Sequence, residues 1–146
     1  MRSGMLTSRV WLLATAVLLP FTACDSDSAV DVTLQEFAVS TSEDSKPAGE
    51  VTFDVTNKGP DDTHEFVVIR TDLDPTELPT DETGAVDESG QGIEVIDEIE
   101  DIAVGENPSL TVDLDSGSYV LICNIYDKAE QESHYQEGMR TGFTVE

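Results

Sequence analysis

The sequence predicts an all-β domain, a Greek-key β-sandwich of about seven to eight short strands. Apolar and polar residues alternate in several short segments, and clusters of Gly, Pro, Asn and Asp separate these segments. Hardly any stretch has helical periodicity. The chain has 146 residues, of which 38% are hydrophobic, which is enough for one domain with a small core. Short strands at regular spacing with turn signals between them are typical of a sandwich.

Residues 1–23 resemble the signal peptide of a bacterial lipoprotein. Arg2 and Arg9 accompany an apolar run at residues 10–21, which is too short to span a bilayer comfortably. Small residues then precede Cys24, which we expect to become the acylated first residue of the exported chain. Ordinary cleavage and secretion is the alternative. The expected location is the outer face of the cell membrane, through the lipid anchor, or the periplasm.

The exported part divides into residues 24–29, a short acylated tether, and residues 30–146, a single domain. Three strand segments are predicted in the first half of the chain after the signal, at residues 29–40, 50–57 and 64–70. The first segment has a slip in its alternation that indicates a bulge, and the second alternates cleanly. His64 stands at the very start of the third segment.

Residues 71–92 are acidic, contain several prolines and glycines, and have no hydrophobic period. This composition predicts a solvated surface loop, although its length suggests a surface feature or a partner contact. Residues 93–102 fit neither period well and favour a strand followed by a turn. Three further strand segments are predicted downstream, at residues 109–114, 119–123 and 141–145.

The charge of the chain is strongly negative. Asp and Glu number 31 against seven Lys and Arg, for a formal net charge of −24. Nucleic acid and an anionic membrane surface would both repel such a protein. The composition is compatible with a basic protein partner and equally with a high-salt environment.

Cys24 and Cys123 are the two cysteines of the chain. We do not expect them to form a disulfide, because each has a separate explanation and no framework of bridges is present. If Cys24 is acylated, Cys123 is the free thiol of an exported protein, and such a thiol usually has a function.

A metal site is the function that the pattern around Cys123 indicates. Cys123 ends an apolar strand, and His134 and Met139 follow before the last strand. In an antiparallel sandwich His64, at the start of its strand, can lie at the same end of the domain. Two imidazoles, a thiolate and a weak thioether favour copper that cycles between Cu(I) and Cu(II), whereas zinc usually takes a fourth hard or thiolate donor. Glu137 or a backbone carbonyl is an alternative to Met139.

Other chemistries lack the residues they need. A two-copper centre bridged by paired thiolates needs a second nearby cysteine, and a copper oxidase or nitrite reductase needs further histidines beyond His64 and His134. A Cys–His hydrolase is conceivable, but its nucleophile normally sits where a dipole or a cation lowers its pKa. No stretch has the spacing of a calcium-binding loop. We therefore do not expect an enzyme.

Several motifs together resemble the cupredoxin family of small blue-copper proteins, in particular its plastocyanin-like bacterial lipoprotein members. The motifs are Asn57-Lys58-Gly59, His64-Glu65-Phe66-Val67-Val68, the strand from Gly117 to Cys123, His134, Gly138-Met139 and Phe143-Thr144-Val145. The resemblance covers about residues 30–146.

This resemblance implies a type 1 copper site with His64, Cys123, His134 and Met139 as ligands. It also implies a monomeric one-electron carrier with a redox partner, for example a cytochrome or a terminal oxidase, that is basic if charge guides docking. His134 is then the histidine nearer the surface and the port for electrons, with Tyr135 and the residues after Cys123 shaping the docking patch. Copper delivery without a redox partner, and an interaction module with a vestigial site, are the alternatives.

The chain departs from the family in two places. Ten residues, Asn124–Ser133, separate Cys123 from His134, where plastocyanin-like proteins often have only a few. This charged insert is expected to bulge outward as a small flap. In addition, Glu65 follows the first histidine where the family often has Asn, whose side chain ties the ligand loops together. The geometry around the ligands is therefore expected to be specific to this chain.

Overall fold

A computed structural model describes residues 29–146 of the chain. This part contains eleven strands and one short helix. The strands are β1 Val30–Gln35, β2 Ala38–Thr41, β3 Ser45–Lys46, β4 Gly49–Asn57, β5 His64–Arg70, β6 Glu94–Ile102, β7 Ser109–Leu114, β8 Gly117–Ile122, β9 Tyr126–Asp127, β10 Glu132–Ser133 and β11 Arg140–Val145. The helix is α1, His134–Glu137.

Two sheets face each other and confirm the predicted all-β sandwich. One sheet has four strands in the order β2-β1-β4-β7, and the other has five in the order β3-β11-β8-β5-β6. β9 and β10 form a separate hairpin. β1 pairs with β4 and β3 with β11 in parallel, and the other pairs are antiparallel. The strands beyond the expected seven to eight are short segments of two to four residues.

The core lies between the sheets and follows the period-two alternation of the strands. Val51, Phe53 and Val55 of β4 are buried, and their neighbours along the strand are partly exposed. The Phe53 ring lies 5.4 Å from the rings of both Phe66 and Phe143, which belong to the opposite sheet. Burial of each such side chain contributes about 1.5–3 kcal/mol to folding. The core thereby fixes the two sheets, and the strand ends that carry the site, relative to each other.

The slip at residues 36–37 marks a chain reversal and not a bulge inside one strand. β2 folds back on β1 as an antiparallel partner, with Leu34 opposite Val39. The expected bulge is therefore wrong, because a turn and a bulge disturb the alternation in the same way. The reversal places Glu36 and Phe37 at the edge of the candidate site.

Residues 71–92 are only partly the solvated loop that we expected. Leu78 and Val86 are buried and form a second apolar cluster on the outer face of the five-stranded sheet, together with Val67, Ile69, Val120, Ile122 and Tyr135. The segment is therefore anchored to the sheet, although its acidic side chains are mostly exposed. Hydrophobic periodicity could not predict this anchoring, because isolated apolar residues in an irregular segment form no repeating pattern. β6 also extends through residue 102 without the expected turn.

The expected signal peptide and the lipid-bearing Cys24 lie outside the described residues. Between residues 29 and 146, no helix combines the length and the apolar character needed to cross a membrane.

Candidate metal centre

Strand pairing brings the predicted donor residues to one end of the sandwich. β5 and β8 are antiparallel neighbours, with Val67 opposite Ile122. The start of β5, which is His64, therefore lies beside the end of β8, which Cys123 directly follows. His134 begins α1, just before β11, and β11 is the other antiparallel neighbour of β8. Long-range pairing alone thus gathers residues that are far apart in the chain.

The three donor atoms form a compact triangle. Nδ1 of His64 lies 3.2 Å from Nδ1 of His134. Sγ of Cys123 lies 3.8 Å from Nδ1 of His64 and 3.5 Å from Nδ1 of His134. His64 and Cys123 are 0% exposed and His134 is 2% exposed. These residues form one of two groups, among residues 29–146, whose donor atoms lie close enough to hold a metal ion.

The triangle has the size that one metal ion requires. An ion about 2.0–2.1 Å from two imidazole nitrogens and about 2.3 Å from a thiolate, with angles of roughly 110–120°, separates its donors by about 3.4–3.8 Å. The observed separations of 3.2, 3.5 and 3.8 Å lie within about 0.2 Å of that range. A trigonal His₂Cys set with a weak axial thioether is typical of blue-copper sites. The donor set fits one type 1 copper site.

Burial controls the thiol of Cys123 in the copper-free protein. Desolvation raises the pKa of Cys123 to about 11, although backbone amides of Glu65 and Ile125 favour the thiolate. The Glu65 amide donates a hydrogen bond to Sγ over 3.3 Å. Copper would bind the thiolate form of Cys123. The two backbone amides would then face the negative charge of the thiolate sulfur. At neutral pH the thiol is therefore protonated, and a metal ion would have to displace this proton to bind.

The imidazole of His64 is in the neutral form that a metal ion requires. Burial, and next the proximity of His134, lower the pKa of His64, while the carboxylates of Glu36 and Asp62 act in the opposite direction. His64 is therefore neutral at pH 7, and a neutral imidazole has a lone pair available for a metal ion.

Met139, the predicted fourth ligand, is fully buried in the same core as Cys123. Its backbone joins two of the donor residues, because its amide donates to the His134 carbonyl over 2.9 Å and its carbonyl accepts from the Cys123 amide over 3.1 Å. Glu137, the alternative donor, is exposed. The role of Met139 as axial ligand stays a prediction.

Gly138 allows another segment to approach the loop that carries His134 and Met139. Its φ of +131° is a backbone conformation that residues other than glycine rarely adopt, and a Cβ there would lie 3.0 Å from the Phe37 carbonyl oxygen. The Phe37 ring meets the His134 imidazole edge to face, with centroids 5.3 Å apart. The β1–β2 reversal thereby covers one side of the site.

Asn57 and Glu36 support the site, and the sequence did not identify them as functional. The fully buried amide of Asn57 donates to the carbonyls of Asp62 and Ile102 and accepts from the Gly59 amide, all over 2.7–2.8 Å. It thereby ties the loop before His64 to the end of β6. Its place in the motif Asn57-Lys58-Gly59 was the available signal, whereas no local pattern indicates Glu36.

His134 and Tyr135 are both buried. Tyr135 is 1% exposed, and its hydroxyl donates to the Pro75 carbonyl and accepts from the Leu78 amide. It therefore anchors residues 71–92, and its expected place in a docking patch is wrong. His134 is also buried, but it is one of the residues that line a surface cavity of about 410 Å³. That cavity is also lined by Asp61, Asp62, Thr63, Asp101, Ile125 and Asp127.

The insert between Cys123 and His134 is a small hairpin, in keeping with the expected flap. Tyr126 pairs with Ser133 and Asp127 with Glu132. The insert is anchored at its base, where the His134 amide donates to the Ile125 carbonyl over 3.0 Å and the Ser133 hydroxyl donates to the Gly84 carbonyl over 2.8 Å. The extra length therefore forms its own hairpin, and His134 remains in the donor group.

Glu65 belongs to a second group of potential ligands, a partly exposed carboxylate cluster with Glu98 and Glu100. Desolvation, followed by the charges of Glu98, Glu88 and Glu100, raises the pKa of Glu65 to about 7. The backbone amide of Asn124 opposes this shift, because it donates a hydrogen bond to the Glu65 carboxylate. The side chain of Glu65 thus meets the residue after Cys123, where the family often has an Asn that ties the loops.

No protein-family model matches the sequence, and no curated protein matches it either. Solved structures do match the fold. Auracyanin from Roseiflexus castenholzii is 20% identical with a TM-score of 0.56, covering 80% of this chain and 94% of its own. An azurin from Methylomonas sp. strain J is 20% identical with a TM-score of 0.57, covering 82% and 98%. Auracyanin A from Chloroflexus aurantiacus, a "blue" copper protein, is 16% identical with a TM-score of 0.54, covering 82% and 98%.

These structures are cupredoxins, and the chain has the cupredoxin fold. The fold and the buried group of His64, Cys123 and His134 together fit one type 1 copper site.

Proposed function

We propose that this chain is a type 1 copper protein that carries one electron at a time on the extracytoplasmic side of a membrane. The observation that carries the proposal is the buried triangle of His64, Cys123 and His134, with donor atoms 3.2–3.8 Å apart. When bound, copper supplies a one-electron couple between Cu(I) and Cu(II). The protein supplies the positions of the donors.

The surroundings of the donors suit electron transfer better than catalysis. His64 and Cys123 stand at the ends of paired strands, and backbone hydrogen bonds join Met139 to Cys123 and to His134. Such connections hold the donors in one arrangement, so little rearrangement accompanies a change of oxidation state. The chain has two histidines in all, and both are used here, which leaves none for a catalytic copper.

For the partner, we favour a basic redox protein that docks over the cavity at His134. Asp61, Asp62, Asp101 and Asp127 line that cavity, and the whole chain carries a formal net charge of −24. Complementary charge accelerates the encounter of two proteins and orients them. A cytochrome or a terminal oxidase with a basic docking face would meet this requirement.

For the location, we favour a lipid anchor on Cys24 at the outer face of the cell membrane. The support is the sequence of residues 1–23, with basic residues, a short apolar run and small residues directly before the cysteine. Residues 24–29 would then be the tether between the lipid and the domain.

The decisive experiment is the visible absorption spectrum of the copper-loaded protein and of Cys123→Ser. The wild type should show an intense band from charge transfer between the thiolate and Cu(II), and Cys123→Ser should lose it. Cys24→Ser is the matched control, because it removes the other sulfur of the same type and should keep the band. An intense band that survives in Cys123→Ser would overturn the site.

The same measurement separates the other functions. Tight binding of Cu(I) without an intense band for Cu(II), and with ready release to a chelator, would support copper delivery. Failure of the wild type to bind either oxidation state would leave an interaction module with a vestigial site.

A further inference from the structure

A carboxylate faces the outer nitrogen of His64. Oε1 of Glu36 lies 3.6 Å from Nε2 of His64, whose side chain is fully buried, and the Glu36 side chain is only 11% exposed. Nε2 of His64 and Oε2 of Glu36 are both buried, and neither has a hydrogen-bond partner among residues 29–146. Nε2 of His64 can donate a hydrogen bond and Oε2 of Glu36 can accept one, and both atoms lack a partner although the two side chains approach within 3.6 Å.

The backbone holds Glu36 in this place. Oε1 accepts hydrogen bonds from the amides of Asp61 over 3.2 Å and Asp62 over 2.6 Å. These amides belong to the segment directly before His64. The carboxylate therefore links the β1–β2 reversal to the segment that leads into β5.

The tautomer of His64 follows from the donor group. Nδ1 of His64 faces Cys123 and His134, so a bound metal ion would take the lone pair of Nδ1. A neutral imidazole has one N–H, which must then be on Nε2. A metal-binding histidine generally donates this outer N–H to a carboxylate, a carbonyl or water. Glu36 is the carboxylate in position to accept it.

From this geometry, and resting on the proposed copper site, we infer that Glu36 is a positioning residue for His64 that stabilises the Cu(II) state over the Cu(I) state. Its carboxylate accepts the Nε2–H, which fixes the tautomer and the ring orientation. Its negative charge, buried beside the imidazole, favours the more highly charged ion. Asp62 Oδ2 lies 3.9 Å from Nε2 of His134, but its side chain is 38% exposed, so water screens its charge more.

The test compares Glu36→Gln with Asp62→Asn in the copper-loaded protein. Each variant removes one charge and keeps a similar shape. Competition with chelators of Cu(II) and of Cu(I) gives both affinities, and a redox titration gives the potential. Glu36→Gln should weaken Cu(II) binding relative to Cu(I) binding by about tenfold or more and raise the potential, and Asp62→Asn should have a smaller effect. An unchanged ratio in Glu36→Gln, or one matched by Asp62→Asn, would overturn the inference.

A second measurement remains decisive if Glu36→Gln fails to fold. Nitrogen-15 NMR of the wild type loaded with diamagnetic Cu(I) should show the His64 proton on Nε2, slow to exchange and shifted downfield by a charged acceptor. A rapidly exchanging proton, or one without that shift, would contradict the role of Glu36. Glu36→Asp, which keeps the charge, should have a potential nearer to the wild type than Glu36→Gln.

The proposed function and this inference fail in different ways. A wild type without the intense visible band removes the copper electron carrier itself. A wild type with the band, but with a Cu(II) to Cu(I) affinity ratio that does not respond to Glu36→Gln, removes only the role of Glu36.

Discussion

Nδ1 of His64 and Nδ1 of His134 lie 3.2 Å apart, although the two histidines are 70 positions apart in the chain. In the copper-free protein one of these nitrogens can donate a hydrogen bond to the other, and a metal ion bound by both would take the place of that proton. The contact exists because β5 and β11 flank β8 in one sheet. The site is thus a product of strand order, and its supports can be tested one by one.

Asn57 should be among the polar residues most important for stability. Asn57→Ala removes three hydrogen bonds, two of them buried, to the loops around the site, and we expect a loss of about 2–4 kcal/mol in the free energy of unfolding. Denaturant unfolding of the copper-free protein measures this loss. Asn107→Ala, at an exposed position, is the control and should change stability by less than about 0.5 kcal/mol. Equal effects of the two substitutions would contradict the proposed tie.

Met139 can be tested separately as a packing residue and as a ligand. Met139→Leu conserves volume and should cost less than about 1.5 kcal/mol, whereas Met139→Ala should cost about 2–5 kcal/mol because the residue is fully buried. The three strong donors remain in Met139→Leu, so its visible band should persist, while loss of a weak axial donor should raise the potential. A potential equal to that of the wild type would show that Met139 only packs.

Glu65 should make the copper-free protein less stable as the pH rises. Its pKa in the folded protein is about 7, above the ordinary value of 4.5, mainly because of burial. The folded state therefore holds the proton more tightly, so this contribution to stability is complete below pH 4.5 and is lost as the pH rises through 7. Glu65→Gln should flatten the dependence in this range and stabilise the protein at pH 8.

Denaturant unfolding at a series of pH values measures this effect of Glu65. Glu50→Gln, at an exposed position in the opposite sheet, serves as the control and should leave the pH dependence unchanged. If the free energy of unfolding of the wild type did not change between pH 5 and 8, this would argue against a protonated Glu65.

The cavity over His134 should control docking if the partner is basic. We expect the triple variant Asp61→Asn, Asp101→Asn and Asp127→Asn to slow electron transfer to a basic cytochrome by about tenfold at low ionic strength. The rate for the wild type should also fall steeply as salt is added. Stopped-flow kinetics measure both effects, and Asp113→Asn on β7, which is exposed in the other sheet, is the control. A rate that responds neither to salt nor to the triple variant would indicate apolar docking instead.

The residue types and their order in the chain were sufficient to predict the fold class and the members of the donor group. Alternation in segments such as Val51–Phe53–Val55 determines which face of a strand is buried. Likewise, a chain with two histidines and one thiol beyond Cys24 leaves little choice for a soft metal site. The alternation within a strand and the number of available donor residues can both be read directly from the sequence.

Only the tertiary structure decided what surrounds the donors. The burial of His134 depends on packing with distant segments, including Phe37 in the β1–β2 reversal. Glu36 meets His64, and Tyr135 anchors residues 71–92, through contacts between segments that no local period relates. Such contacts arise from the order in which strands pair and loops cross the sheet ends. The sequence alone therefore determined which residues form the donor group, and the fold decided which of their atoms converge and which charges and surfaces surround them.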